Sequence, residues 1–176
     1  MHIETERLII RSMQPSDEAA FVEMASDGSL HEIFGDCSDC GEWMGDFVSE
    51  SIELEKRNDP TSEYLAFTIE DKRTHKVLGS VGSTFYDDLG EVGVTYFIGA
   101  KYRGHRYAAE ALSALTAYLF GGYDIEKLIA AVDVENTASC RTLEQAGFRL
   151  TETKMYKDMY DESEKLSSFY ELIAEK

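Results

Sequence analysis

The sequence predicts a mixed α/β domain in which a mostly antiparallel sheet carries a central parallel βαβ unit and is flanked by helices. Three observations predict this class. Short apolar blocks rich in β-branched and aromatic residues are separated by polar turns, as strands are. Longer blocks with apolar residues at helical spacing lie among them, in the order β-α-α-β-β-β-α-β-α-β-β. One helical block stands directly between two strand blocks in the stretch Glu91 to Val134, and a crossover of that kind joins parallel strands.

The elements follow in chain order. Ile3 to Arg11 reads as a strand around Leu8, Ile9 and Ile10. Pro15, Ser16, Asp17 and Glu18 open a helix whose early acids favour the positive end of its dipole, and Ala20, Phe21, Met24 and Ala25 form its apolar face. A Gly- and Asp-rich stretch is expected to be loop, followed by a helix from Trp43 to Arg57 with Phe47, Ile52 and Leu54 as core contacts. Trp43, Met44 and Phe47 are assigned to core packing ahead of an acceptor pocket. Tyr64 to Glu70 and Lys76 to Phe85 form a hairpin across the polar turn Asp71 to His75. "EVGVTYFI", Glu91 to Ile98, is the next strand, with Gly93 marking a bulge or a close backbone approach. A helix from Tyr107 to Phe120 leads to a buried strand, Lys127 to Val134. A short helix then opens on Asn136 as N-cap and stops at Gly147. Phe148 to Tyr156 and Ser168 to Ala174 are the last strands, joined by the acidic loop "DMYDESEK".

The totals bound the function. A chain of 176 residues, 43% hydrophobic, fits one domain, residues 1–176, with a real core. The 34 acids against 17 Lys plus Arg give a net charge of −17, which argues against nucleic acid and agrees with solubility alone or with a cationic substrate. No apolar run is long enough to span a membrane, and the N-terminus lacks a signal-peptide pattern. A cytoplasmic setting without membrane contact is therefore expected, as monomer or homodimer. Cys37 and Cys40 have metal-like spacing but lack the further ligands of a closed zinc site. They and Cys140 are read as free structural thiols, and no metal is expected.

One stretch departs from the acidic background. "YRGHRYAAEAL", Tyr102 to Leu112, opens a helix with no Ser, Thr, Asp or Asn cap, and no acid occurs between Val92 and Ala109. The first amides of a helix have no intrahelical partner and carry about half a positive charge. An anion is the natural cap: Gly104 permits close approach, Ala108 and Ala109 leave the first turn open, and Arg103 and Arg106 add charge-assisted bonds. The carboxyl ends of the flanking strands lie on the same sheet edge, where α/β proteins bind ligands. Neither a P-loop nor a G-x-G-x-x-G is present.

This loop resembles the acyl-CoA pyrophosphate loop of the GNAT acetyltransferases, Q/R-x-x-G-x-G/A, with Arg103 in the first place, Ala108 in the last, and Arg106 where a central glycine is usual. "TERLIIR" (Thr5 to Arg11) and "NTASCRTLEQAGF" (Asn136 to Phe148) resemble two further segments of the branch that includes ribosomal-protein N-terminal acetyltransferases. The resemblance implies the GNAT acyl-CoA fold. It implies acetyl-CoA as co-substrate between the strands ending at Ile98 and Val134, bound by Phe97, Ile98, Arg103, Gly104, His105, Arg106, Tyr107, Ala108, Asn136 and Ser139. His105, within this loop, would face the anion rather than the amine. It implies N-acetylation of a primary amine, on a peptide N-terminus or a small molecule, by direct attack in a ternary complex. A backbone amide near Val94 would meet the oxyanion. Glu91 is the candidate base, its rival role being an exposed strand start, and Ser139 the candidate donor to the leaving thiolate, its rival role being packing in the first turn of its helix. Many relatives place a tyrosine where this chain has Leu143, which cannot donate. That departure, with Arg106, motivates the alternative of a non-catalytic acyl-CoA sensor, which would bind CoA without releasing thiol.

Overall fold

The computed structural model describes residues 1–157 and 163–174. Most of the expected elements form, with shifted ends. β1 (His2–Glu4) and β2 (Leu8–Ser12) replace the single first strand, because the polar Thr5–Arg7 triplet turns the chain. Thr5 closes that turn by donating its amide to the Leu8 carbonyl and by accepting the Leu8 amide on its hydroxyl, each at 2.9 Å. A 3-10 turn over Pro15–Asp17 leads into α1 (Glu18–Ala25), which buries Phe21, Met24 and Ala25. A one-turn helix, α2 (His31–Phe34), interrupts the stretch expected to be loop. α3 (Cys40–Arg57) starts ahead of Trp43 because Cys40 already faces the core, and Met44, Val48 and Leu54 continue its buried face.

β3 (Leu65–Asp71), β4 (Val77–Tyr86) and β5 (Glu91–Ile98) form the antiparallel meander, and α4 (Tyr107–Gly122) crosses to β6 (Lys127–Asp133). α5 (Thr137–Gln145), β7 (Arg149–Tyr156) and β8 (Lys165–Ile173) complete the chain. The acidic loop before β8 lies largely outside the described residues. Gly147 has φ +94°, so α5 ends on the left-handed glycine that the pattern required. Gly93 marks a close approach: a Cβ there would stand 2.1 Å from the Tyr86 ring.

The eight strands make one sheet in the order β1-β2-β3-β4-β5-β6-β8-β7, and β5–β6 is its parallel pair. Each face buries its own core. On one side α4 and α5 cover Leu8, Ile10, Phe67, Val92, Val94 and Ile98 with Leu112, Leu115 and Leu119. On the other, α1 to α3 cover Phe97 with an aromatic cluster in which Phe34 packs against Trp43 and Phe97 at centroid distances of 5.4 and 5.3 Å. Met44 is fully buried there, as core packing requires.

Candidate active site

The central break in the sheet builds the site. β5 pairs along its whole length with β4, but with β6 through the single register pair Gly93–Ile129. Beyond that pair the two strands part. Alternate backbone groups of Val94 to Ile98 are thus left without a strand partner on the β6 side, and polar backbone must find one. Val94 is the first residue past the closed end.

The loop at the open end is built to leave donors free. The chain leaves β5 through a 3-10 turn at Ala100–Tyr102, Gly104 adopts φ +83°, and Arg106 takes the N-cap of α4 in the left-handed region at φ +62°. Among the described residues no side chain caps α4. The first helical bond is Glu110 N–H to the Arg106 carbonyl, and among the described residues the amides of Tyr107, Ala108 and Ala109 donate to no group of the chain. A Cβ at Gly104 would meet open space, so its positive φ is what demands glycine.

The one acid of the first helical turn is held away. Glu110 accepts the Thr5 hydroxyl at 2.6 Å, the Arg7 amide at 3.0 Å and the Arg7 guanidinium at 2.7 Å. Burial raises its pKa, but these bonds more than offset it and hold the carboxyl below its usual range. Arg7 also donates to the His105 carbonyl at 3.0 Å and lies over the Tyr107 ring. The His105 ring packs on Tyr107 at 5.5 Å. The "TERLIIR" segment therefore braces the loop.

The arginines divide their work differently from the expectation that both reach an anion. Arg103 donates to the Ile98 carbonyl at 2.9 Å and the Ser29 carbonyl at 2.8 Å, fastening the loop to the end of β5 and to the chain before α2. Arg106 is exposed, and no ion pair forms on it among the described residues.

The other lip of the gap is the start of α5. Asn136 caps it by accepting the Ser139 amide at 3.1 Å, and its own amide donates to Glu32 of α2 at 2.7 Å. Leu143 is fully buried. Ser139 meets a residue that the sequence reading passed over: the Tyr96 hydroxyl lies 2.7 Å from Ser139 Oγ and 3.1 Å from the Ser139 carbonyl. Burial pushes the Tyr96 phenol up to about 12, against the opposing pull of the Ser139 bond. Alternation along "EVGVTYFI" placed Tyr96 on a face but could not name a partner across the gap.

Glu91 approaches from the opposite side. Alternate strand residues share a face, so Glu91 lies with Phe97 on the α1–α3 side, whereas Tyr96 and Ser139 lie on the α4–α5 side. Its carboxylate is 2.6 Å from Lys127 Nζ, beyond the closed Gly93–Ile129 end, and borders a cavity of about 170 Å³ lined also by Ile129, Phe169 and Glu171. The structure does not bring Glu91 and Ser139 into contact. Cys37 and Cys40 are buried in the α1–α3 core, Cys140 is half-buried, and all three are free thiols.

The site's parts fit an acyl-CoA ligand: free amides at the positive end of a 16-residue helix, an acid-free rim, and an unpaired strand edge leading inward. The comparisons agree. The chain matches the acetyltransferase (GNAT) domain family over residues 7–149. It is 28% identical to the uncharacterized N-acetyltransferase YnaD of Bacillus subtilis, over 85% of this chain and 83% of that protein. Its fold is that of the Salmonella typhimurium acetyl transferase that modifies the N-terminal serine of ribosomal protein L7/L12, with TM-score 0.81 and 17% identity over 99% and 100% of the two chains. It also superposes on RimL, the ribosomal L7/L12 α-N-protein acetyltransferase, solved with coenzyme A, with TM-score 0.80 and 17% identity over 98% of each chain. The chain thus belongs to the GNAT family, and it is an acetyl-CoA-dependent acetyltransferase.

Proposed function

We propose that the enzyme acetylates a primary amine, on a peptide N-terminus or a small molecule, by direct attack within a ternary complex. The observation that carries this is the set of unpaired amides at the start of α4, opening onto the unpaired edge of β5. Amides of the Arg103–Ala108 loop hold the diphosphate, with Arg106 supplying charge from outside. The backbone of Phe97 and Ile98, and Asn136 on the far lip, align the arm that follows. When bound, acetyl-CoA supplies an acetyl group activated as a thioester.

The chain's own groups are then set on two sides of the reacting carbon. The Val94 amide, just past the closed end of the gap, is assigned to the oxyanion. Ser139 is assigned as hydrogen-bond donor to the departing sulfur on the α4–α5 side. Glu91, on the α1–α3 side, is assigned as base acting through water, since its carboxylate is already paired with Lys127. An amine entering on the Glu91 side and a thiol leaving on the Ser139 side give attack and departure separate routes. Three free cysteines and the use of acetyl-CoA agree with a cytoplasmic setting.

The test is thiol release from acetyl-CoA over small amines, amino acids, aminoglycosides and peptides, among them one beginning with serine, as the Salmonella relative's acceptor does. Release above hydrolysis with one acceptor class, and its acetylated product by mass, supports the reading. Folded protein that binds CoA yet releases no thiol across the panel refutes it and favours a sensor.

A further inference from the structure

The Tyr96–Ser139 pair has a proton arithmetic that fixes its states. A phenol has one proton. Both observed bonds coexist when Tyr96 donates to the Ser139 carbonyl and Ser139 Oγ–H donates to the phenolic oxygen. In the alternative state Tyr96 donates to Ser139 Oγ, and the serine proton is released to point elsewhere. Only hydroxyl rotation separates the two, because both acceptors lie within reach of one phenolic oxygen. The pair also spans the break in the sheet: Tyr96 belongs to β5, Ser139 to the first turn of α5, and the strands part just before Tyr96. A ligand arm lying between these lips on the α4–α5 side meets the pair.

We propose that Tyr96 is a positioning residue for acetyl transfer, holding Ser139 at the lip of the gap and, by turning its donor from the Ser139 carbonyl to Ser139 Oγ, directing the serine proton at the leaving sulfur. This rests on the reading of Ser139 given above. In the step served, the amine nitrogen bonds to the thioester carbon and the C–S bond breaks with its electron pair on sulfur. The proton lost by nitrogen ends on sulfur through solvent. Tyr96 and Ser139 lend hydrogen bonds and keep their protons. Burial keeps the Tyr96 phenol neutral at working pH, so it serves as a donor throughout. Cys140 is the titratable neighbour of the pair, with Tyr170 and Glu144 behind it. All three stay unchanged in every variant below, so their contributions cancel in the differences.

The test needs no acceptor. The thiol of CoA bound to the full-length protein is titrated by thiolate absorbance in wild type, Tyr96→Phe, Ser139→Ala and the double variant, with binding checked by calorimetry and folding by thermal melt. Expected are a bound thiol more acidic in wild type than free in solution, a rise of about one pKa unit in Ser139→Ala and about half a unit in Tyr96→Phe. The double variant should match Ser139→Ala, because Tyr96 acts through the serine. CoA affinity in Tyr96→Phe should stay within about twofold of wild type. A Tyr96→Phe titration identical to wild type, with Ser139→Ala shifted, overturns the role of Tyr96 and leaves that of Ser139 standing. Additive shifts overturn action through the serine. No shift in Ser139→Ala overturns both assignments, and a wild type that binds no CoA overturns the cofactor site itself.

Discussion

Arg106 and Gly104 share the left-handed region, yet changing them shifts backbone strain in opposite directions. An L-residue at φ +62° costs roughly 1–2 kcal/mol, part of which glycine recovers. Arg106→Gly is therefore expected to raise stability by about 0.5–1 kcal/mol while weakening CoA binding roughly three- to tenfold through the lost guanidinium. Gly104→Glu brings a side chain, a strained φ and a negative charge to the rim of the same loop, and should weaken CoA by roughly a hundredfold or more. Thermal melts and calorimetry with CoA read both. Unchanged affinity in Gly104→Glu would remove the diphosphate from this loop. At this scale the sequence made the loop legible because its glycine, its missing cap and its lack of acids are local features. The bond of Arg103 to Ser29 and the meeting of Tyr96 with Ser139 were not legible, because each partner is distant in sequence and chosen by the fold.

Elements are joined by a buried charge cluster. Arg11 of β2 donates to both carboxylate oxygens of Asp17 at 2.8 Å and to Glu70 of β3 at 2.7 Å, and Thr68 gives Asp17 a further bond. Burial alone would raise the Asp17 pKa, but Arg11, Thr68 and the Gln14 amide together bring it below the ordinary 3.8. A depressed carboxylate contributes stability that is present above its unfolded pKa and is lost as pH falls through the folded value. Wild type should thus hold this contribution at neutral pH and lose it below about pH 4. Arg11→Met strands Asp17 as a buried, unpaired carboxylate, at a cost of about 3 kcal/mol at pH 7. Its folded pKa then rises above the unfolded one, so the sign reverses and the deficit shrinks toward pH 4. Urea unfolding between about pH 4 and 8 checks this, since a pH-independent deficit would mean lost packing rather than stranded charge. Element types were readable from periodicity and caps, as Asn136 and Gly147 show. The insertion of β8 between β6 and β7 was not, because it depends on non-local pairing, and the β1–β2 hairpin and one-turn α2 were not, because they are too short to carry a periodic signal.

The whole molecule sets a strong negative field around a locally basic mouth. Its net charge is −17, yet no acid lies between Val92 and Ala109, and Glu110 is consumed by Thr5 and Arg7. This separation assigns the two substrates to different ranges of force. On the proposed reading the anionic one would be held by amides and charge at contact distance, where salt screens little. A cationic amine would be drawn in by the field of the whole surface, which acts across many ångströms and is screened once the Debye length falls to about 10 Å or less. Raising NaCl from about 20 to 300 mM should therefore lower kcat/KM for a cationic acceptor by roughly threefold or more, chiefly through KM. Under the same change, kcat at saturation should move by less than about twofold, since groups acting on bound substrates do so at contact distance, well inside a Debye length. An acceptor whose kcat/KM ignores salt would show that the acidic surface serves solubility alone, and would point to an amine that binds neutral or is recognised only by contact.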